Sequence, residues 1–476
     1  MIVESRILRS VARRPLAAGL ALAFSLSAVA SSSDAAIARS TDTPPAPRGA
    51  IVVSNCDDDG PGSLRAAVAA AASGNTIDLT TLGCSTITLT TGYIAVAQDD
   101  LSIQGPGSGS LTIDAGYSSG IMRHSGAGTL SISRLSLVNG THTTDTSASL
   151  GGCLYSAANL EVVESVVSTC TAHGTAGNDA RGGAIYTLGN LTLASSVVTN
   201  SRAYASAVGR GGGVYVASDL DAHSSSISYN AAQGAPIVNG QGGGAIGLGT
   251  TTLRMSSVYY NGAYEVGGLW TFGAVTIDAS LIARNGASQT AGMRATDGTG
   301  SATATIVNST IAYNHSVARV GGLNLIVPAT IRNTTIASNE AFNGLAGVLM
   351  SGPTLELDST IIAGNMAGPT EDDFEVYGSP VITGASNLVI ATSATLPPDT
   401  IADDPLLGPL TDNGGLTLTM ALMPGSPAID AGNNVAALAD DQRGTGFLRH
   451  VGARTDIGAF EVQDPDFLFS DGFDAD

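Results

Sequence analysis

The amino-acid sequence predicts an all-β fold: a single-stranded parallel β-helix of about ten coils with a short N-terminal capping α-helix. Short apolar triplets alternate with turn residues along most of the chain. Gly-Gly pairs recur and end at Gly152, Gly183, Gly213, Gly244, Gly268 and Gly322. Asparagines trail these pairs at steps of 30, 31, 24, 29, 25 and 26 residues, at Asn200, Asn230, Asn261, Asn285, Asn314, Asn339 and Asn365. A repeat of this length is typical of stacked coils.

The composition fits a narrow interior and restricts the partners. The 476 residues include 60 glycines, and only 5% are aromatic. Stacked coils need few large apolar residues because each coil encloses a narrow core. All 20 basic residues are arginine against 40 acidic residues, so the formal net charge is −20. This charge disfavours nucleic acid and anionic membranes as partners. It either keeps an extracellular protein soluble or provides a cation-binding surface.

The first 50 residues predict export. Residues 1–38 contain a basic segment, an apolar stretch and a small-residue cleavage site, which together predict a signal peptide. Residues 39–50 are predicted to be a proline-rich linker. No later segment has 18 unbroken apolar residues. We therefore expect no membrane-spanning segment after signal cleavage.

Export permits disulfide bonds. The four cysteines, Cys56, Cys84, Cys153 and Cys170, allow three connectivities. Proximity in the sequence favours the pairs Cys56–Cys84 and Cys153–Cys170, and each bond would stabilise the fold by about 3 kcal/mol. A metal site at these cysteines is disfavoured because no CxxC pair occurs and the six histidines are scattered.

Residues 182–200, GGAIYTLGNLTLASSVVTN, show how one coil is built. The glycine pair allows a tight corner. Leu191-Thr192-Leu193 alternates apolar and polar residues, as a strand with one buried face does. Equivalent apolar residues of successive coils predict one internal stack of Val197, Ile227, Val258, Leu281, Ile311, Ile336 and Ile361. The trailing asparagines predict a structural ladder in which each side-chain amide bonds the neighbouring coils.

The exposed strand edge of the first coil needs a cover. Residues 51–88 are predicted to form this N-terminal cap, and residues 89–375 the β-helix. Ser63 is the predicted N-cap of an alanine-rich helix that stops by Gly74.

One polar column is the best candidate for a ligand. Counting three residues back from the predicted stack gives Asp278, Asn308, Asn333 and Asp358. As an outward row, these side chains have three possible roles. They would bind Ca²⁺, which favours clustered oxygen ligands, they would bind sugar hydroxyls, or they would form an exposed hydrogen-bonding ladder without a ligand. Asp278 and Asp358 are the candidate metal ligands. No other cofactor and no catalytic residue is predicted.

The N-terminal region resembles a family of bacterial surface proteins. Residues 60–79, GPGSLRAAVAAAASGNTIDL, and residues 101–116, LSIQGPGSGSLTIDAG, are similar to the region that carries the CSLREA motif. Ser63-Leu64-Arg65 is kept, but Gly62 stands in place of the name-giving cysteine.

The C-terminal region, residues 376–462, resembles the choice-of-anchor Q domain. The resemblance lies in three segments: DDPLLGPLTDNGGLTLTMALMPGSPAIDAGNN at 403–434, DQRG at 441–444 and TDIGAFE at 455–461. It implies a right-handed parallel β-helix, export, and an extracellular or outer-surface location on a bacterium. In such proteins an anchoring or sorting signal often follows the domain. Residues 463–476 form an acidic tail whose role is open.

Two classes of function follow. The first is an adhesin-like or glycan-binding surface protein without catalysis, whose partner is a polysaccharide or a host or cell-surface glycan. The second is a polysaccharide lyase or glycoside hydrolase on the same scaffold, an expectation from fold analogy alone. A lyase would need Arg254 or Arg332 beside Asp278 or Asp358, and a hydrolase two facing carboxylates. A groove of converging Asp and Arg favours an enzyme, whereas a flat Ser/Thr/Asn face favours an adhesin.

Overall fold

A computed structural model describes residues 49–236, 239–298, 300–345 and 347–463. In these residues the chain winds as a parallel β-helix, which confirms the predicted class. The first two turns pass through sheets A, B and C, and from Thr141 onwards each turn passes through sheets A, B, D and C before it returns to sheet A. Sheet B has 12 strands, so there are about 12 turns where about ten were expected. Strands begin at Ala50, inside the predicted linker, and the solenoid continues past residue 375 to Val389.

The strands of each sheet are parallel, except for one antiparallel pair at the end of sheet D. Sheet A consists of Ala50–Val52, Asn75–Asp78, Leu101–Gln104, Thr129–Ser133, Asn159–Val163, Leu191–Ala194, Leu220–His223, Thr251–Arg254, Val275–Asp278, Ala304–Val307, Ala329–Arg332, Thr354–Asp358 and Val381–Thr383. Sheet B consists of Thr86–Thr88, Thr112–Asp114, Ser136–Val138, Val166–Ser168, Val197–Thr199, Ser226–Ser228, Ser257–Tyr259, Leu281–Ala283, Thr310–Ala312, Thr335–Ala337, Ile361–Ala363 and Leu388–Val389.

Sheets C and D complete each turn. Sheet C consists of Ile94–Val96, Met122–His124, Leu154–Ser156, Ile185–Thr187, Val214–Val216, Ala245–Gly247, Leu269–Thr271, Met293–Ala295, Leu323–Leu325, Val348–Met350 and Phe374–Val376. Sheet D consists of Thr141–Thr144, Thr171–Gly174, Arg202–Ala205, Ala231–Gln233, Gly262–Ala263, Gly286–Ala287, His315–Ser316, Glu340–Ala341, Met366–Ala367 and Thr370–Glu371. A short sheet E adds Ser149–Leu150, Ala180–Arg181, Gly209–Arg210 and Gly240–Gln241. Leu407–Thr411 and Thr419–Leu422 form a separate two-stranded antiparallel hairpin.

The helix Leu64–Ala70 caps the first turn, as predicted. Its N-cap is Ser63, whose Oγ accepts a hydrogen bond from the Ala66 N–H at 3.2 Å. Arg65 fixes the helix to the strand below: its guanidinium donates to the Tyr93 carbonyl at 2.8 Å and pairs with Asp58 at 2.7 Å. Burial raises the pKa of Asp58, but hydrogen bonds from Arg65, Thr90 and Thr91 outweigh this and lower it below its usual range.

Two disulfide bonds join the pairs that sequence proximity favoured. Cys56–Cys84 lies in the N-terminal cap with its Cα atoms 6.5 Å apart, and Cys153–Cys170 links neighbouring turns with its Cα atoms 5.4 Å apart. The two bonds are compatible with an exported protein. Within the described ranges, the structure contains no helix long and apolar enough to cross a membrane. The predicted signal peptide, residues 1–38, most of the linker and nearly all of the acidic tail lie outside the described residues.

The internal stack of sheet B differs from the prediction at three positions. The buried column is Ile87, Ile113, Leu137, Val167, Val198, Ile227, Val258, Ile282, Ile311, Ile336, Ile362 and Val389. Val197, Leu281 and Ile361 therefore point outward, one residue before the true stack position. The error has a physical cause: in these strands both faces carry apolar residues, so alternation does not identify the inner face.

From Leu281 onwards, the apolar outward positions of sheet B are covered by the C-terminal region, which lies along the side of the solenoid. Leu281, Ala283, Ala312 and Ala337 pack against Leu410 and Met420 of the hairpin. Ile361 and Ala363 pack against Leu422, Ala428 and Ile457. Hydrogen bonds join the two parts as well: the Gly458 N–H donates to the Ser359 carbonyl at 2.8 Å. The predicted C-terminal region is thus part of the same folded body as the β-helix.

Six of the seven predicted asparagines form a buried ladder at the corner between sheets B and D. The Oδ1 atom of Asn285 accepts hydrogen bonds from the Asn261 N–H at 3.0 Å and the Asn261 Nδ2 at 3.1 Å. Its own Nδ2 donates to the Val258 carbonyl and to Asn314 Oδ1, at 3.0 and 2.9 Å. The same pattern runs through Asn230, Asn261, Asn285, Asn314, Asn339 and Asn365.

The exception is Asn200, which lies one column away. Thr199 pairs with Ser228, so Asn200 stands level with Tyr229 and not with Asn230. Asn200 is exposed and has a φ of 53°. Ser201 takes the ladder position and donates its N–H to Asn230 Oδ1 at 3.0 Å. The residue in αL conformation is thus the one before each ladder position.

Removing one rung should destabilise the fold. Asn285→Ala removes four buried hydrogen bonds of the Asn285 side chain and takes away the acceptor of the Asn261 N–H, so we expect a loss of about 2–4 kcal/mol in the free energy of unfolding. Denaturation by guanidinium chloride measures the loss. Asn200→Ala is the matched control, and it should cost about 1 kcal/mol or less, because it affects only αL preference. Equal losses for the two variants would contradict the ladder's energetic role.

The ladder ends on a buried carboxylate. Asp373 Oδ1 accepts from the Asn365 N–H and Nδ2 at 2.9 and 2.8 Å, and Oδ2 accepts from the Ala391 N–H at 2.9 Å. Burial raises the pKa of Asp373 from 3.8 to about 6, although these hydrogen bonds oppose the change. The Asp373 carboxyl group therefore binds a proton more tightly in the folded state than in the unfolded chain.

This pKa predicts a pH dependence of stability. The stabilisation from protonated Asp373 is complete below about pH 4 and is lost as the pH rises through 6, a change on the order of 3 kcal/mol. Asp373→Asn lacks this component. The difference in unfolding free energy between wild type and variant should therefore be largest at pH 4, in favour of the wild type, and this difference should become smaller towards pH 7. Asp403→Asn, at an exposed carboxylate, should leave the profile unchanged. Parallel profiles for wild type and Asp373→Asn would contradict the prediction.

Candidate functional site

The predicted metal ligands Asp278 and Asp358 lie in one column of sheet A, but they are not neighbours. Val307 and Arg332 occupy the two turns between them. Three strand spacings separate the two carboxylates by about 14 Å, too far for one ion to be shared. Across the described ranges, no group of three His, Cys, Asp or Glu side chains could hold a metal ion. Ca²⁺ binding stays a prediction without a supporting site.

Asn308 and Asn333, the other two members of the predicted row, lie in the next column. They turn the corner between sheets A and B in αL conformation, with φ values of 54° and 45°. Both are buried, because the C-terminal region covers them. The Nδ2 of Asn308 donates to the Asp440 carbonyl at 3.1 Å, and that of Asn333 to the Asn433 carbonyl at 3.0 Å. The expected outward row of four side chains was therefore wrong.

Both arginines proposed for a lyase lie in sheet A beside a candidate aspartate: Arg254 is level with Asp278 in the next strand, and Arg332 is level with Asp358. Arg332 pairs with Glu356 at 2.6 Å and lies 3.7 Å from Asp358. Burial raises the pKa of Asp358, while the Ala385 N–H and Arg332 oppose this change. Burial also raises the pKa of Asp278, and Arg254 opposes it. Because the Arg332 guanidinium is already bound by two carboxylates, it is poorly placed to act as a base.

A second charged cluster is sealed inside the C-terminal region. It is built from the DQRG and TDIGAFE segments and from Arg449, which lies between them in the sequence. Arg443 binds Asp441 through two nitrogens, at 2.6 and 3.1 Å, and Arg449 lies 3.3 Å from Glu461. Burial raises the pKa of Glu461 and lowers that of Arg449, and their attraction opposes both changes. Arg449 and Glu461 are fully buried, so the cluster fastens the region internally and offers no surface to a ligand.

The exposed feature with a chemical character of its own is an aromatic ridge, formed by Tyr229, Tyr260, Arg284 and Tyr313. These residues directly precede the ladder asparagines in four successive turns. The Tyr229 and Tyr260 rings are stacked, with centroids 4.9 Å apart and planes 15° apart. Arg284 lies over Tyr260 at 5.4 Å and Tyr313 at 6.0 Å, and its Nη1 donates to the Tyr260 hydroxyl at 3.0 Å. The three tyrosines are 51%, 40% and 39% exposed.

The conformation of the ridge explains its exposure. Tyr229, Tyr260 and Tyr313 have φ values of 55°, 54° and 56°. This αL conformation is imposed by the corner at every turn and suits Gly or Asn; a bulky residue there costs roughly 1 kcal/mol. Because the next residue points inward to the ladder, each ridge side chain projects outward. Large rings at three such positions therefore lower stability without filling the core.

A polar face borders the ridge. Outward positions of sheet B before the covered segment are mostly hydroxyl-bearing, among them Ser136, Ser168, Thr199, Ser226 and Ser257. This face ends in a cleft of about 360 Å³ between Tyr259 and Leu416 of the C-terminal region. At the far end of the ridge, Tyr313 lines a second cleft of about 580 Å³ together with Glu371 and Asp404.

The sequence reasoning missed the ridge, although a signal was present. The dipeptide Tyr-Asn occurs at 229–230, 260–261 and 313–314, and Arg-Asn occurs at 284–285. The residue before the asparagine is therefore aromatic or basic in four successive coils, a pattern that predicts a row of large side chains beside the ladder.

Comparisons with known proteins add little. No family model matches the chain, and no curated protein matches it. The family resemblance of the two terminal regions therefore stays a prediction. Among solved structures, the chain is similar to one described as "Crystal structure of pectate lyase Pel9A", with a TM-score of 0.47 and 14% identity over 87% of this chain and 97% of that chain. At this level of similarity nothing follows about activity.

Proposed function

We propose that the protein is an exported, surface-located or secreted β-helix protein that binds glycan along the aromatic ridge, without catalysing a reaction on it. The observation that carries the proposal is the row of exposed tyrosine rings at αL positions, where smaller residues would give a more stable fold. Contiguous exposed apolar surface of this kind marks interaction sites.

The chemistry of the surface suits a sugar chain. Tyrosine rings have an apolar face and a polar tip, so they contact sugar rings while staying hydrated. The neighbouring Ser and Thr hydroxyls both donate and accept hydrogen bonds, as sugar hydroxyls do. The ridge repeats with the spacing of the turns, about 4.8 Å, so a long polymer can lie along several turns. The surface location rests on the predicted signal peptide and on the resemblance to choice-of-anchor Q proteins.

The alternative, a polysaccharide lyase or glycoside hydrolase, has weaker support. It would need an open groove with an unengaged base or two facing carboxylates. The column that was expected to supply them holds Asp358, which is buried, and Arg332, which is paired. The cleft beside Tyr313 contains two acidic residues, so an assay for product release belongs in the test.

The test is binding to a panel of soluble polysaccharides by calorimetry, with polygalacturonate, alginate, methyl-esterified polygalacturonate and galactomannan as probes. The double variant Tyr229→Asn/Tyr260→Asn should bind at least about tenfold more weakly, a loss of about 1.4 kcal/mol or more. Its free energy of unfolding should change by only about 1 kcal/mol, because Asn suits the αL conformation. Tyr117→Asn is the matched control: Tyr117 is also exposed and has a φ of 59°, but it lies outside the ridge.

Three outcomes would overturn the proposal. The first is that the wild type binds no polysaccharide of the panel, and the second is that the double variant binds as tightly as the wild type. The third is that the wild type releases reducing or unsaturated ends from a polysaccharide. Repeating the titrations with EDTA tests Ca²⁺, since loss of binding on chelation would show that a cation is needed.

A further inference from the structure

In seven turns, the strands of sheets B and D and the corner between them carry no carboxylate, and Glu371 and Asp404 approach the ridge only at its Tyr313 end. The outer positions of sheets B and D and the corner between them contain neither Asp nor Glu in residues 136–144, 165–174, 195–205, 226–233, 257–263, 281–287 and 310–316. The chain as a whole has 40 acidic residues against 20 basic ones. We call this surface the acid-free face. It ends where Asp114 and Glu340 occupy the same sheets.

Arg284 stands within this face and is held in place by aromatic groups. Among the described residues, no carboxylate forms an ion pair with it, whereas Arg332 and Arg443 each bind a carboxylate at 2.6 Å. One nitrogen donates to the Tyr260 hydroxyl, and the guanidinium lies over two rings. Three of the five N–H donors of a guanidinium can face a ligand when one nitrogen is engaged in this way.

We infer that the glycan bound by the ridge is anionic, and that Arg284 is the residue that selects it. The inference rests on the proposed glycan-binding function and specifies its ligand class. A guanidinium has a planar fork that binds a carboxylate or sulfate ester through two hydrogen bonds. The tyrosines on either side contact the sugar rings, and the missing carboxylates remove the repulsion that the rest of this acidic protein exerts on a polyanion.

Single-stranded nucleic acid is the competing polyanion, because it also stacks on aromatic rings. It is disfavoured here. Binding of nucleic acid depends on several basic residues that follow the phosphates. The ridge has one arginine in four turns, and the whole chain has a net charge of −20. A glycan with a charged group on some of its sugars matches one arginine among tyrosines better.

The test compares the full protein with Arg284→Gln in binding to polygalacturonate and to its neutral methyl ester. We expect the wild type to bind polygalacturonate about tenfold more tightly than the ester. Arg284→Gln should lose this preference and keep the weaker binding to the ester, because the tyrosines remain. Arg284→Lys should restore part of the preference, since it keeps the charge but not the fork. Arg319→Gln, an exposed arginine outside the ridge, is the charge-matched control.

Equal binding of acid and ester by the wild type, or unchanged binding of polygalacturonate by Arg284→Gln, would overturn the inference. In that case, if the Tyr229→Asn/Tyr260→Asn variant still lost binding to polygalacturonate and to its methyl ester, the proposed glycan-binding function would stand and only the role of Arg284 would be refuted. Equally tight binding of oligo-deoxythymidine would also overturn it. A titration with dextran sulfate distinguishes the two anionic groups. If the protein binds dextran sulfate more tightly than polygalacturonate and this binding depends on Arg284, the recognised group is a sulfate ester. If it binds dextran sulfate more weakly, the recognised group is a carboxylate.

Discussion

The corner between sheets B and D is the constraint on which the rest of this structure depends. At this corner each turn buries an asparagine that joins the turns on either side, so its position along the turn is fixed. Breaking one rung removes several buried hydrogen bonds, which costs far more than the loss of an exposed contact. The residue before the asparagine must therefore adopt αL conformation and point outward, whatever its identity.

This geometry separates stability from function at neighbouring residues. The ladder position admits little variation, because its amide both donates and accepts within the core. The position before it faces solvent and is limited only by the moderate cost of αL conformation. Tyr229, Tyr260, Arg284 and Tyr313 use that freedom. Their rings stack at 4.9 Å between the first two turns, and the arginine lies between the second and fourth. The positions of the ridge residues are fixed because the backbone of each of them belongs to a hydrogen-bonded turn of the solenoid.

The C-terminal region divides the outer face of sheet B into two parts. Where it packs, outward positions are apolar, as at Leu281 and Ile361. Where it is absent, most of them are hydroxyl-bearing. The buried charges of Arg443, Arg449 and Glu461 hold the region together internally, since each charge has an opposite partner at close range. The motifs that suggested a family resemblance thus have a clear structural role.

The sequence by itself determined the period of the solenoid, the capping helix with its Ser63 N-cap and six of the seven ladder asparagines, because each depends on local residue chemistry repeated along the chain. It also favoured the two disulfide pairs while other connectivities stayed open. Only the tertiary structure decided the register. Leu281 and Ile361 were assigned to the wrong face because the cover that makes their outer side apolar comes from residues more than 60 positions away. The ridge also needed the tertiary structure: the repeated dipeptides mark its members in the sequence, but they are 24 to 31 residues apart, and only the stacking of the turns brings their side chains together.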